Sequence, residues 1–128
     1  MKKFKTVMLT LLLIVSTGVI VSAREIDSFS NFKITKDYAR TRYLSKYDNS
    51  SFVINLEPSR EHNPIKIKTV MVNSEGKARS DVYSPTCGFR YEYSNWATPS
   101  YIYALDMKRE HFFDGAIYIT GSWSPDLR

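Results

Sequence analysis

The chain has 128 residues, with 18 Lys and Arg, 13 Asp and Glu, 14% aromatic residues and a single cysteine. Three of the lysines lie within the first 23 residues, so the remaining 105 residues carry a net charge of only +2. That charge argues against nucleic-acid binding, because nucleic-acid binders normally present an extensive basic patch. The remaining length suffices for one hydrophobic core, and a single cysteine excludes an internal disulfide.

The first 23 residues have the three parts of a secretory signal peptide. A lysine-rich start is followed by an uncharged apolar run from Thr6 to Val21, and then by small residues at Val21-Ser22-Ala23. We therefore expect cleavage between Ala23 and Arg24. A retained membrane anchor is disfavoured, because spanning a bilayer takes about 20 apolar residues and this run has 16. The protein is expected to meet a membrane only through this signal peptide, and residues 24–128 are expected to act outside the cell.

The single cysteine also bears on the origin of the protein. Small secreted eukaryotic domains usually contain several disulfides, so a domain without one is more typical of export from a Gram-positive bacterium. Cys87 is expected to be a half-buried small residue rather than a reactive thiol.

Alternation of apolar and polar residues predicts β-strands along most of the mature chain. The predicted strands are 32–36, 52–56, 65–72, 77–83, 89–94, 101–107 and 116–123. A hairpin turn is predicted at 73–76, because Asn and Gly tolerate the positive φ of such turns. Residues 24–31 are expected to be a loose lead-in, and 38–47 is ambiguous, with extended structure favoured.

The fold class that follows is all-β, as a single small antiparallel β-sandwich or barrel of about six or seven strands. Helix stays possible at 40–47 and 108–113. The predicted organisation is a cleavable signal peptide at 1–23 and one β-domain at 24–128.

The residues for common catalytic and metal sites are sparse. Only His62 and His111 could supply an imidazole, and neither belongs to a zinc-binding or metalloprotease motif. No nucleophile elbow or glycine-rich phosphate loop is present. Carboxylates that could hydrolyse sugars or bind calcium are scattered along the chain. The sequence therefore predicts a protein that is not an enzyme and has no cofactor or metal site.

The aromatic residues in the second half of the chain are the one enrichment that suggests binding. Aromatic side chains stack on sugars and anchor protein interfaces, although alternate strand positions also place them in a core. Trp96 lies in a loop-like segment before Pro99 and is the best candidate for exposure, with Tyr101 and Tyr103 as further binding candidates. Trp123 ends an alternating strand on the face of Ile119 and is predicted to be core.

Several segments resemble a family of small secreted proteins from Gram-positive bacteria that carry a domain of unknown function. The resemblance lies in 32–35, Arg42-Tyr43, 52–56, 101–105 and the terminal Gly121-Ser122-Trp123-Ser124-Pro125-Asp126. Some members look like neighbours of bacteriocin systems, and the resemblance implies no catalytic residues.

These observations together predict a secreted, non-enzymatic binding protein. Its partner would be a component of the cell envelope or an extracellular protein, and a bacteriocin-like or accessory role is the more specific form. The alternatives are a small extracellular enzyme with an unrecognised site and an inhibitor of a secreted hydrolase. A convergent pocket with a histidine beside a carboxylate would favour the enzyme, and an open aromatic surface would favour binding.

Overall fold

The computed structural model of the protein describes residues 24–59, 65–111 and 115–127, and these residues contain eight strands and no helix. The strands are β1 Asp27–Ile34, β2 Ala39–Arg40, β3 Leu44–Ser45, β4 Phe52–Leu56, β5 Ile67–Asn73, β6 Arg90–Tyr93, β7 Ile102–Arg109 and β8 Ile117–Ser124. Within the described ranges, no helix has the length and apolar character to cross a membrane. The predicted signal peptide lies outside these ranges.

The strands form two antiparallel sheets, which do not close into a barrel. Sheet A has the order β1-β8-β4-β6. In sheet B, β7 pairs with β5 along one edge and with the short strands β2 and β3 in succession along the other. The prediction of an all-β fold is confirmed. There are eight strands in place of six or seven, because 38–47, which was favoured as extended, contributes two short strands and 77–83 contributes none.

The main hydrophobic core draws on both sheets. Phe52, Ile54 and Trp123 contribute from sheet A, and Leu105 and Met107 contribute from sheet B. Each lies at alternate positions of its strand, because successive side chains of a strand point to opposite faces. Trp123 is 1% exposed and is the largest fully buried side chain, which confirms its prediction as core.

Gly121 allows the two central strands of sheet A to approach closely. A Cβ at this position would lie 2.2 Å from the backbone oxygen of Asn55 on β4. A contact that short is sterically impossible without moving one of the strands, so β8 requires glycine here. The glycine of the terminal motif thus fits β8 against β4.

The lead-in predicted at 24–31 was wrong, because β1 already begins at Asp27 and pairs with β8. The strand was hard to recognise because its first inward residue is a carboxylate. Asp27 is buried, and its Oδ1 accepts a hydrogen bond of 3.0 Å from Nε of Arg42. Burial of a carboxylate is tolerable when it is paired with a cation.

The segments on either side of β7 were predicted with mixed success. Extended structure at 38–47 is confirmed as β2 and β3, so the helix considered at 40–47 is excluded.

The returning strand predicted at 77–83 was wrong as a regular strand. The chain there runs beside β5 and pairs with it only through isolated bridges at Ala78 and Tyr83, and Thr86 bridges Lys66 just before β5. Of the helix considered at 108–113, Lys108 and Arg109 belong to β7, and the segment from 112 lies outside the described residues.

The turn at 73–76 is confirmed. Gly76 has a φ of 77° and donates its N–H to the backbone oxygen of Asn73 at 2.9 Å. The side-chain oxygen of Asn73 accepts the N–H groups of Glu75 and Lys77. Asparagine at the first position thus satisfies the turn's own donors, as it commonly does.

Candidate binding surface

The three residues predicted to bind a partner occupy different environments. Trp96 is 58% exposed and Tyr101 is 64% exposed, whereas Tyr103 is 3% exposed. The Tyr103 hydroxyl donates to the backbone oxygen of Thr98 at 2.6 Å. Tyr103 is therefore a core residue, and its prediction as a binding residue was wrong.

The backbone at Ser100 explains why Tyr101 and Tyr103 differ although they are two positions apart. Ser100 has a φ of 75°, a left-handed conformation that is uncommon outside glycine. The strand begins only at Ile102, so Tyr101 precedes the regular alternation that turns Tyr103 inward. The sequence could not reveal this break, since serine has no strong preference for such a conformation.

The loop that bears Trp96 and Tyr101, residues 94–101, is fixed at both ends by hydrogen bonds. The N–H of Trp96 donates to the backbone oxygen of Arg79 at 2.9 Å, and the N–H of Ser100 donates to that of Lys46 at 2.8 Å. The side-chain amide of Asn95 donates to the backbone oxygen of Ser50 at 3.2 Å. These contacts hold the strained Ser100, and backbone strain of this kind concentrates at functional sites.

A second loop, residues 46–50, adjoins the 94–101 loop and bears another exposed aromatic side chain. Lys46 N–H donates to the backbone oxygen of Tyr101 at 3.0 Å, and Tyr47 follows directly and is exposed. Ile102, opposite Ser45 in the sheet, is exposed as well. We name Tyr47, Trp96, Tyr101 and Ile102 the aromatic end. Tyr47, Trp96 and Tyr101 stand on two loops that hydrogen-bond to each other, and Ile102 begins β7 directly after the 94–101 loop. The backbone positions of these residues are therefore set before any partner arrives.

A buried ion pair lies beneath the aromatic end. The side chains of Lys46 and Asp126 are both fully buried, and Lys46 Nζ lies 3.1 Å from Asp126 Oδ1. The same ammonium donates to the backbone oxygens of Ser50 at 2.8 Å and Pro125 at 2.7 Å. All three ammonium protons therefore have acceptors, which is what a buried lysine requires.

The carboxylate of Asp126 is equally well satisfied. Its Oδ2 accepts the N–H of Tyr47 at 2.7 Å, and its Oδ1 accepts the N–H of Asp48 at 3.4 Å in addition to Lys46. Hydrogen bonds from the Ser50 hydroxyl and N–H hold the pKa of the neighbouring Asp48 carboxyl below its usual range. Two negative charges, one cation and several backbone donors thus fix the 46–50 loop to the end of the chain.

Sequence reasoning missed this pair. Lys46 lies in the ambiguous segment 38–47, and nothing in its neighbours indicates a lysine with no exposure. Asp126 did belong to the terminal motif singled out from the sequence, but no role was assigned to its carboxylate.

A row of aromatic rings closes the β6 edge of the core. Tyr93 stacks on Tyr83 with ring centroids 4.0 Å apart and on Tyr91 at 5.5 Å, and Phe89 follows Tyr91 at 6.4 Å. Phe89, Tyr91 and Tyr93 occupy alternate positions, and their rings therefore lie on one face of this edge. The row joins edge strand β6 to the chain beyond β5, so most of these rings serve packing rather than binding.

The candidate catalytic residues do not converge in the described part of the chain. His111 is exposed, and His62 lies outside the described residues. Cys87 is buried, and burial raises the pKa of its thiol, which disfavours the reactive thiolate. Within residues 24–59, 65–111 and 115–127, no group of three or more His, Cys, Asp or Glu could hold a metal ion.

Comparison of the chain with protein-family models, with curated proteins and with solved structures found no match. The resemblance to small secreted Gram-positive proteins therefore stays an expectation from sequence, and any function has to be argued from the site itself.

Proposed function

We propose that residues 24–128 form a secreted, non-enzymatic binding domain that engages a component of the cell envelope or an extracellular protein through the aromatic end. The observation that supports this proposal most strongly is the exposure of Trp96 and Tyr101 on a loop that hydrogen bonds hold in place. Single exposed apolar residues are normal on protein surfaces. Several on adjoining, rigid loops are typical of interaction sites, where Trp and Tyr are the residues most often found as anchors.

Preorganisation of the two loops supports the same proposal. Ordering a flexible loop on binding costs affinity, so a surface held rigid in the free protein binds more tightly for the same contacts. The buried Lys46–Asp126 pair and the Asn95–Ser50 hydrogen bond supply that rigidity.

The test of binding is co-sedimentation of mature protein with Gram-positive cells and with purified cell walls. Trp96→Ala and Tyr101→Ala should each weaken binding by about tenfold or more, as anchor residues do. Phe89→Ala is the matched control, because Phe89 is an equally exposed aromatic residue outside the aromatic end. Binding that is unchanged in the double variant Trp96→Ala/Tyr101→Ala, or no binding to either material, would contradict the proposal.

Secretion is part of the proposal and is supported by the place of Arg24 in the fold. The Arg24 guanidinium donates to the backbone oxygens of Asp126 at 3.1 Å and Leu127 at 3.0 Å. The neighbouring Glu25 carboxylate accepts the N–H of Ser45 at 2.6 Å. Cleavage before Arg24 would thus leave a chain whose first residues are already held by the domain.

N-terminal sequencing of the protein recovered from culture medium tests secretion. The expected first residue is Arg24. Recovery of the chain in a membrane fraction with Met1 at its start would show instead that the apolar run is a retained anchor.

A further inference from the structure

The outer face of sheet A, turned away from the core, is lined by small hydrogen-bonding side chains. On β8, Thr120 and Ser122 alternate with the core residues Ile119 and Trp123 and therefore lie on that outer face. Tyr118 continues the same row and is 61% exposed.

Strand pairing extends this row into an array over three strands. Ser122 lies opposite Ser28 on β1 and opposite Asn55 on β4. The next row is centred on Thr120, whose Oγ1 accepts the N–H of Asn31 at 3.2 Å and whose backbone oxygen accepts the N–H of Glu57 at 2.9 Å. Neighbouring strands lie about 4.8 Å apart, so hydroxyl, amide and carboxylate groups recur from strand to strand across this face.

A shallow hollow of about 300 Å³ lies over this array. It is lined chiefly by Ser28, Ser30, Asn55, Glu57, Thr120 and Ser122. Two backbone features shape the hollow. A bulge in β1 interrupts its register with β8 between Phe29 and Phe32, and Asn31 within it has a φ of 50°. Bulges of this kind redirect side chains and are common beside binding sites.

The charge of this face is balanced. Arg90 and Glu92 on β6 pair with each other at 3.0 Å, and the face also carries the cation Lys33, opposite Tyr118, and the anion Glu57. The balance suits an uncharged ligand, and the hydroxyls and the amide can both donate and accept hydrogen bonds. The exposed ring of Tyr118 beside the array offers the apolar face on which a sugar ring stacks.

We propose that the outer face of sheet A binds an uncharged polysaccharide chain. The solvent face of an antiparallel sheet is ordinarily polar. What points to a ligand is the combination of small hydroxyl side chains, a hollow above them, an adjoining exposed ring and a nearby strained bulge. This site is separate from the aromatic end and does not depend on the function proposed for it.

The test is electrophoresis of the mature protein through gels containing soluble uncharged polysaccharides, namely xylan, galactomannan, laminarin and hydroxyethylcellulose, with a gel lacking polysaccharide as reference. At least one should retard the protein. Tyr118→Ala and Glu57→Gln should each raise its dissociation constant by about tenfold, the effect of losing a stacking contact or a charged hydrogen bond. Glu57→Gln preserves shape, so it reports on binding even if Tyr118→Ala disturbs the strand.

Phe89→Ala is the matched control and should be retarded like the wild type, because it removes an exposed aromatic residue that belongs to neither proposed surface. Retardation by none of the four polysaccharides, or retardation that both sheet variants retain, would overturn the proposal. Loss of cell binding in Trp96→Ala together with no retardation would leave the aromatic end as the binding surface and remove only this site. Retardation that is lost in Tyr118→Ala, together with cell binding that is unchanged in Trp96→Ala, would support the outer face of sheet A and remove the aromatic end as a binding surface.

Discussion

The two tryptophans occupy opposite environments and should respond differently to truncation. Trp123 is fully buried between the sheets, so Trp123→Ala should lower the free energy of unfolding by about 3–5 kcal/mol, the usual cost of such a cavity. Trp96 is largely exposed, so Trp96→Ala should cost about 1 kcal/mol or less. Denaturant unfolding of the two variants makes the comparison, and equal losses would place Trp96 in the core and remove it as an anchor.

The Lys46–Asp126 pair should be costly to break from either side. Lys46→Met leaves a buried carboxylate without its cation, and Asp126→Asn leaves a buried ammonium without its anion. Each should lower the free energy of unfolding by about 3–5 kcal/mol. The double variant should lose much less than the sum of the two, because neither charge is then unpaired. Additive losses in a double-mutant cycle by urea unfolding would show that the two side chains stabilise the fold independently.

At the level of strands, predictability followed the alternation of side chains. β4 was predicted with its observed bounds at Phe52–Leu56, since four of its five residues are apolar and Pro58 follows shortly after. β1 was predicted only in its second half, because a buried aspartate and a bulge interrupt its pattern. The 77–83 segment was predicted as a strand although it bridges β5 only at Ala78 and Tyr83. Side-chain periodicity indicates which face is buried, but it does not reveal how continuous a strand's backbone pairing is.

The candidate site was less predictable than the fold. Trp96 and Tyr101 were found from composition and from their place near Pro99. The hydrogen bonds that fix their loop join residues that are distant in the sequence. Asn95 and Ser50, for example, are 45 positions apart, and the sequence around each gives no sign of such a pairing. The error at Tyr103 arose because exposure was assigned to a whole aromatic cluster, whereas strand geometry separates neighbours into core and surface.

The stacked tyrosines at the β6 edge give a prediction for alkaline pH. Burial, with the neighbouring Tyr91 and Tyr83 phenols as lesser causes, raises the pKa of Tyr93 from 10 to about 12. Because the folded pKa lies above the unfolded one, the neutral phenol contributes stability below about pH 10, and that contribution is lost as the pH rises toward 12. Ultraviolet titration of tyrosinate should show a late component that is smaller in Tyr93→Phe; burial also raises the pKa values of Tyr38, Tyr83 and Tyr103, so part of it remains. A single transition near pH 10 in both proteins would contradict this prediction.

In the whole molecule, the residues that stabilise the fold differ from the residues that we propose to contact a partner. The core and the tyrosine row hold the two sheets together, while the aromatic end and the outer face of sheet A present side chains whose removal should leave the fold intact. Arg24 and Lys46 both bind residues 125–127, which joins residue 24, the 46–50 loop and Asp126 beneath the aromatic end. We expect Trp96 to become covered when the protein engages the partner that we propose.

Tryptophan fluorescence of the Trp123→Phe variant tests whether Trp96 becomes covered on binding, because Trp96 is then the only tryptophan in the sequence. Circular dichroism first establishes that the variant retains its strands. Soluble cell-wall fragments prepared from the wall material that the protein sediments with are then added. We expect the emission of Trp96 to shift to shorter wavelength and its ring to be protected from acrylamide quenching. Binding with unchanged emission and unchanged quenching would show that the partner contacts the protein elsewhere, and the aromatic end would lose its proposed role.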